Sequence, residues 1–193
     1  MTPQQLAAST GASLDRAIIF QPIIDQAAPD FDITTTARMS AFLAEVGHES
    51  GGLHWLTELW GPTSEQETYE RDFAQPWGPQ LKRGDRNFKA YALGNDCKGD
   101  GLTYRGRGLL QVTGKANYQD VSNHLATDFV SNPSWLAQPE YAVRSAMWFW
   151  QSHGLNARAD LGQFTQITSI INGGQNGAAE RLALYQQAKQ VLA

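Results

Sequence analysis

The chain contains a single cysteine, Cys97, so no internal disulfide can form. Its folding therefore does not depend on oxidation, which suits a reducing cytosol. The neighbours of Cys97, "GNDCKGDG", read as a polar loop rather than a nucleophile's setting. Long apolar runs are also missing. No stretch approaches the roughly 18 residues needed to cross a bilayer, and no stable membrane insertion is expected. The first residues, "MTPQQLAASTGASLDR", lack a basic start followed by an apolar segment, so no signal peptide is expected. Excess positive charge is absent as well: the formal net charge is −4, which argues against general nucleic-acid binding. The balance is uneven, however. Residues 81–115 hold eight basic side chains against three aspartates, a local excess of five. Such a surface suits an anionic polymer or a solvated loop region.

What is present is ordinary globular material. Of 193 residues, 41% are hydrophobic and 18% charged, with six Trp, six Tyr and eight Phe to build a core or line a sugar cleft. The length suits a single domain, 1–193, with room for two lobes. Repeats, low-complexity tracts and long linkers are absent. Thr2-Pro3 followed by Gln5 predicts a capping box. Leu14, Ile18, Ile19, Ile23 and Ile24 recur at helical spacing, with Pro22 expected to kink or divide the helix. Thr34, Thr35 and Thr36 offer caps for a helix whose apolar positions are Met39, Phe42, Leu43 and Val46. "PTSEQETYERDF" predicts another capped helix, and residues 115–125, 139–153, 163–172 and 177–192 predict four more. "EYAVRSAMWFWQS" is the most apolar and is expected to run through the core. The glycine-rich tract 94–114 predicts a loop with a small hairpin. The fold class is therefore mainly α, with one irregular insertion.

Several chemistries fail on spacing. A zinc-protease helix needs two histidines one turn apart, but His48 and His54 are six apart with Gly51-Gly52 between them. A phosphate loop fails because Lys115 is followed by Ala116 rather than a hydroxyl. A calcium loop starting at Asp96 fails because its third position is Lys98 and its twelfth is Arg107. No metal and no cofactor are expected. Paired carboxylates remain. Glu49 ends an apolar helix pattern just before Gly51-Gly52, and Glu58 sits in "WLTELW" nine residues later. A glycosidase uses one protonated acid and one ionised carboxylate in this way, although two glutamates near aromatics also occur as plain surface or structural groups.

"FLAEVGHESGGL", "GDGLTYRGRGLLQVTGKANY", "PEYAVRSAMWFW" and "INGGQNG", followed by Arg181 and Tyr185, resemble glycoside hydrolase family 19, the chitinase-like family that includes many bacteriophage endolysins. The matches keep the family's order over roughly residues 38–185. The resemblance implies a lysozyme-like helical fold with a cleft between two lobes, and β-1,4 glycosidic cleavage with inversion. By position it makes Glu49 the general acid, Glu58 the general base and Thr113 the hydroxyl that holds the attacking water. Gln111, Asn117 and Asn172 match sugar-binding amides. Arg181 matches a late arginine of structural or electrostatic role. His48, Tyr104 and Arg105 complete the expected substrate-binding set.

The sequence departs from plant members in two ways. Its second glutamate comes sooner, leaving Glu65, Glu67 and Glu70 as competitors for the base. It also lacks the acidic residue of the late motif. The expected function is a phage or prophage endolysin, a lysozyme-like hydrolase that cuts peptidoglycan strands between N-acetylmuramic acid and N-acetylglucosamine. It would act as a monomer, accumulate in the bacterial cytoplasm and reach the wall through a holin or a secretion machine. A chitinase and a non-catalytic wall-binding module are the alternatives.

Overall fold

Eleven α-helices, two short 3-10 helices, two isolated backbone bridges and no sheet make up the computed structural model, which describes residues 1–193. They fall into two compact units. The first contains residues 1–56, 108–110 and 138–193, and the second contains 57–107 and 111–137.

In the first unit, α1 (Pro3–Thr10), α2 (Leu14–Ala27) and α3 (Thr36–Glu49) precede α8 (Pro139–Ser152), α9 (Leu155–Asp160), α10 (Phe164–Asn172) and α11 (Ala178–Val191). The capping box at Thr2 forms as expected, with Gln5 and Thr2 each bonded to the other's backbone. α3 is the central helix, packed by α11, α1, α9 and α10. Thr35 caps its first turn through the Arg38 amide. Residues 40–47 are all buried, so α3 is covered on every side rather than along one stripe. Gly47 is the point of closest approach to α1: a Cβ there would lie 2.5 Å from the Thr10 carbonyl oxygen. The expected apolar helix α8 buries Ala142, Val143, Ala146, Met147 and Trp150. Its Trp150 meets Phe42 edge-on at 5.5 Å and donates to Asn156.

Helix α2 corrects the expectation that Pro22 divides it. It runs unbroken through Pro22. The amide lost at Pro22 would have bonded the carbonyl of Ile18, a residue on the exposed side where water can replace it. The buried face is Ala17, Phe20, Ile24 and Ala27, whereas Leu14, Ile18 and Ile19 stand 46–54% exposed. Of the five large aliphatic residues at helical spacing, only Ile24 is fully buried.

The second unit holds α4 (Ser64–Glu67), α5 (Phe88–Ala92), α6 (Asp100–Thr103) and α7 (Lys115–Leu125). The helix expected at "PTSEQETYERDF" is only one turn long, despite an intact capping box at Thr63. Tertiary bonds draw the chain away from it: Asn95 donates to the Tyr69 carbonyl, and the Glu70 carboxylate accepts from the Gly99 and Leu102 amides. The small hairpin in the glycine-rich tract is present as the Arg107–Val112 pair, with Thr57 on the other side of Arg107.

Candidate active site

Glu49 is the last residue of α3, and the turn after it fixes its place. Gly51, Gly52 and Leu53 all adopt left-handed backbone, at φ +57°, +70° and +62°. Glycine takes such angles without strain, and Leu53 is held in its angle by Arg16 Nε on its carbonyl at 2.8 Å and by Ser50 Oγ on its amide at 2.9 Å. The Glu49 side chain, one quarter exposed, accepts a hydrogen bond from Arg181 of α11. Arg181 is buried, and its other terminal nitrogen bonds Glu45, one turn earlier on α3. His48 packs against the loop between α10 and α11 so closely that a Cβ at Gly177 would lie 2.4 Å from its ring. Asn172 ends α10 just before that loop. Its buried Nδ2 has no hydrogen-bond partner, and a buried amide without a partner is costly unless a ligand supplies one.

In the second unit Glu58 is clamped to Gly106 twice. Its amide donates to the Gly106 carbonyl at 2.8 Å, and its Oε2 accepts from the Gly106 amide at 2.9 Å. Oε1 accepts from Gln66 Nε2 at 3.0 Å. Both oxygens thus act as acceptors, as an ionised carboxylate does. Gln66 also donates to the Leu59 carbonyl, and its own Oε1 accepts from Thr63 as part of the α4 cap. Nearby Tyr69 is pushed up to about 12, chiefly by burial, then by the charges of Glu58 and Glu65. A Cβ on Gly106 would lie 2.4 Å from Gln111 Oε1 and 3.2 Å from Thr113 Oγ1. Glu58, Gln111 and Thr113 therefore converge on one glycine. Gln111 is held at φ +48°, and Thr113 Oγ1 donates to its carbonyl at 3.1 Å. A non-glycine residue in that region stores strain that only its surroundings maintain.

The rival bases separate on environment. Glu65 is 72% exposed and faces Lys89 at 3.6 Å. Glu70 spends both oxygens on the start of α6, which removes it as a competitor for the base. Glu67 is exposed on α4.

The remaining expected residues are divided between tasks. Asn117 donates to the Thr113 carbonyl at 2.7 Å and thereby steadies that residue. Arg105 bonds the Leu102 carbonyl, and its buried Nε has no partner. Tyr104 is only 7% exposed. Its hydroxyl donates to the Val130 carbonyl and its ring meets Tyr118 at 5.3 Å, so its surface goes to packing. Arg107 is buried on the Thr103 carbonyl and the Tyr118 hydroxyl. Glu45, Thr168 and Gln66 were not anticipated. Glu45 was readable from its position four residues before Glu49, on the same face of the helix.

This assembly has known relatives. The family model described as "Chitinase class I" matches residues 23–159, more than half of the chain.

The chain belongs to glycoside hydrolase family 19.

The enzyme is therefore a glycoside hydrolase. It is 33% identical over 159 residues to a family 19 domain-containing protein of Haemophilus influenzae, covering 77% of this chain and 76% of that one. It is 29% identical over 168 residues to endochitinase 1 of Theobroma cacao, covering 74% of this chain and 47% of the plant protein. Set against the plant relatives, this family 19 chain spans about half their length. Among solved structures, chitinase C of Streptomyces griseus superposes with a TM-score of 0.67 at 22% identity, over 98% of this chain and 75% of that one. A bacterial family 19 chitinase gives 0.68 at 21% identity, over 99% and 94%. Those structures share its fold. Asn172 and Arg181 lie beyond the stretch that the family model matches.

Proposed function

We propose that this family 19 enzyme is a bacteriophage or prophage endolysin that hydrolyses the β-1,4 bond between N-acetylmuramic acid and N-acetylglucosamine. Glu49 protonates the departing glycosidic oxygen. Glu58 takes a proton from a water that attacks the anomeric carbon from the opposite face, which inverts its configuration. Thr113 orients that water, and the unpartnered Asn172 amide and Gln111 bind sugar N-acetyl groups.

The observation that carries this reading is the contrast between the two carboxylates. Glu58 has both oxygens fixed as acceptors beside a threonine hydroxyl. Glu49 stands partly exposed at a helix end on the rim of a buried charge cluster. An acid and a base need unlike surroundings of this kind. The choice of peptidoglycan is supported by charge. Lys82, Arg83, Arg86, Lys89 and Lys98 are all exposed on the second unit, and an anionic wall polymer would be drawn to them, whereas chitin is uncharged. No helix is long and apolar enough to cross a membrane. In the endolysin role the enzyme works as a monomer, and delivery from the cytoplasm falls to a holin or a secretion machine.

A second reading, chitinase, is favoured by the relatives named endochitinase and chitinase. Mass spectrometry of digested sacculi separates the two. Fragments with a reducing N-acetylmuramic acid are expected. A reducing N-acetylglucosamine would move the cut to the other bond, and release from colloidal chitin without release from sacculi would overturn the endolysin reading.

A further inference from the structure

Glu45 is buried at 0% exposure on the central helix, one turn before Glu49, so the two side chains leave α3 on the same face. Both of its oxygens are occupied. Oε1 accepts from Thr168 Oγ1 of α10 at 2.5 Å, and Oε2 accepts from Arg181 Nη1 of α11. The second arm of the same guanidinium, Nη2, bonds Glu49. Arg181 Nε reaches the Asn176 carbonyl at 3.3 Å. One buried cation therefore serves two carboxyl groups. Burial raises Glu45 above the ordinary carboxylate range, the Thr168 hydroxyl and Arg181 pull it back, and the charge of Glu49 adds to the rise. Among the neighbouring groups, His48 precedes Glu49 and packs against Gly177, α10 carries no charged side chain, and on α11 Glu180 is exposed and Lys189 lies over the Tyr185 ring. α1 has no charged side chain, while on α9 Asp160 pairs with Arg38 and Arg158 bonds the His153 and Gly154 carbonyls.

A guanidinium bonded to a single carboxylate favours its ionised form. That bias is wrong for a group that must deliver a proton. A second carboxylate on the same guanidinium cancels it. One positive charge then faces two carboxyl groups, and its pull on Glu49 is divided between them.

We infer that Glu45 is the positioning residue of the general acid: it occupies one arm of Arg181, aims the other arm at Glu49, and leaves Glu49 with a proton to give. The inference rests on the reading of Glu49 as the acid. It assigns Thr168 a supporting part, since its hydroxyl holds Glu45 in the acceptor state that Arg181 needs.

The test is the pH profile of kcat/KM for the full chain on solubilised peptidoglycan, or on a chitin oligosaccharide should that be the substrate. Glu45→Gln keeps the shape and removes the charge. Its alkaline limb, where the acid loses its proton, should move to lower pH by about one unit or more. Activity above the limb should then fall about tenfold per unit, while activity on the acid side recovers toward wild type. Glu45→Asp keeps the charge and should leave the limb near its wild-type position. Glu45→Gln combined with Arg181→Gln removes both charges and should return the limb upward. Thr168→Val should shift it in the same direction as Glu45→Gln by a smaller amount. That variant also reads the effect should Glu45→Gln fail to fold by circular dichroism. A uniform loss at every pH, with the limb unmoved in both Glu45→Gln and Thr168→Val, would reduce Glu45 to a packing role and overturn the inference. Near-normal turnover by Glu49→Gln would instead remove the reading of the acid, whatever the limb does.

Discussion

At Gly106 the missing side chain matters more than the backbone angle. Its amide and carbonyl both engage Glu58, and the space over its Cα is filled by the Gln111 amide and the Thr113 hydroxyl. Gly106→Ala introduces a methyl group 2.4 Å from Gln111 Oε1. Something must move, and the Gln111 amide, at the far end of its side chain, is what gives way. The expected result is a loss of about tenfold to a hundredfold in kcat with little change in thermal midpoint, since a displacement near 1 Å at a reacting group has that scale. A wild-type kcat would separate this glycine from the site. The carboxylates themselves should show larger effects. Glu49→Gln and Glu58→Gln are each expected to cost about 10²–10⁴-fold. Glu65→Gln, which alters only an exposed side chain facing Lys89, should stay within about twofold. A severe Glu65→Gln loss beside a mild Glu58→Gln loss would move the base.

At the scale of elements, helix α2 shows how pattern and packing diverge. Leu14, Ile18 and Ile19 look like core residues but face solvent, while Ala17, Phe20, Ile24 and Ala27 are buried. The fully buried Phe20 side chain carries the burial, so Phe20→Ala should destabilise by about 3–5 kcal/mol. Ile18→Ser should stay within about 0.5 kcal/mol. Chemical denaturation of both variants checks the pair, and equal losses would contradict the assigned face. Helix α3 offers a second case. Its caps, periodicity and glycine stop were all legible, and it ends where the sequence placed its end. Helix α4 was legible only as a start: Thr63 and Gln66 form the predicted box, but bonds from Asn95 and to Glu70 stop the helix after a turn. Local signals carry the beginning of a helix, while residues about 30 positions away decided its length.

Over the whole molecule, two phenols, buried Tyr118 and half-buried Tyr69, set a response to alkali. Tyr118 is pushed up to about 12, above all by burial, against the pull of Arg107 and Arg105, and its hydroxyl donates to the Arg105 carbonyl at 2.7 Å. Tyr69 is likewise raised to about 12. A group whose folded value exceeds its unfolded value near 10 stabilises the fold fully below pH 10, and that contribution is lost as pH climbs through 12. The denaturation midpoint should therefore fall between pH 10 and 12. Tyr118→Phe should flatten that fall even though it removes a buried hydrogen bond. An unchanged slope in Tyr118→Phe would show that the loss at high pH arises elsewhere.

The helical class, the cap residues, the glycine-rich hairpin and the motif order that marks family 19 were all determined by the sequence alone, because each depends on neighbours within a few positions or on the order of motifs along the chain. Glu49, Glu58 and Thr113 were selected at that level too, as residue types at suggestive places. Three things were left to the tertiary structure: that Gln66 and Gly106 hold Glu58, that Tyr104 and Arg107 turn inward, and that Glu45 and Glu49 share Arg181. Arg181 lies 136 residues from Glu45, and no local rule relates them. Only the packing of α11 and α10 on α3 puts one buried cation between two carboxyl groups, and it is burial of that cation and of Glu45 that gives the shared charge its force.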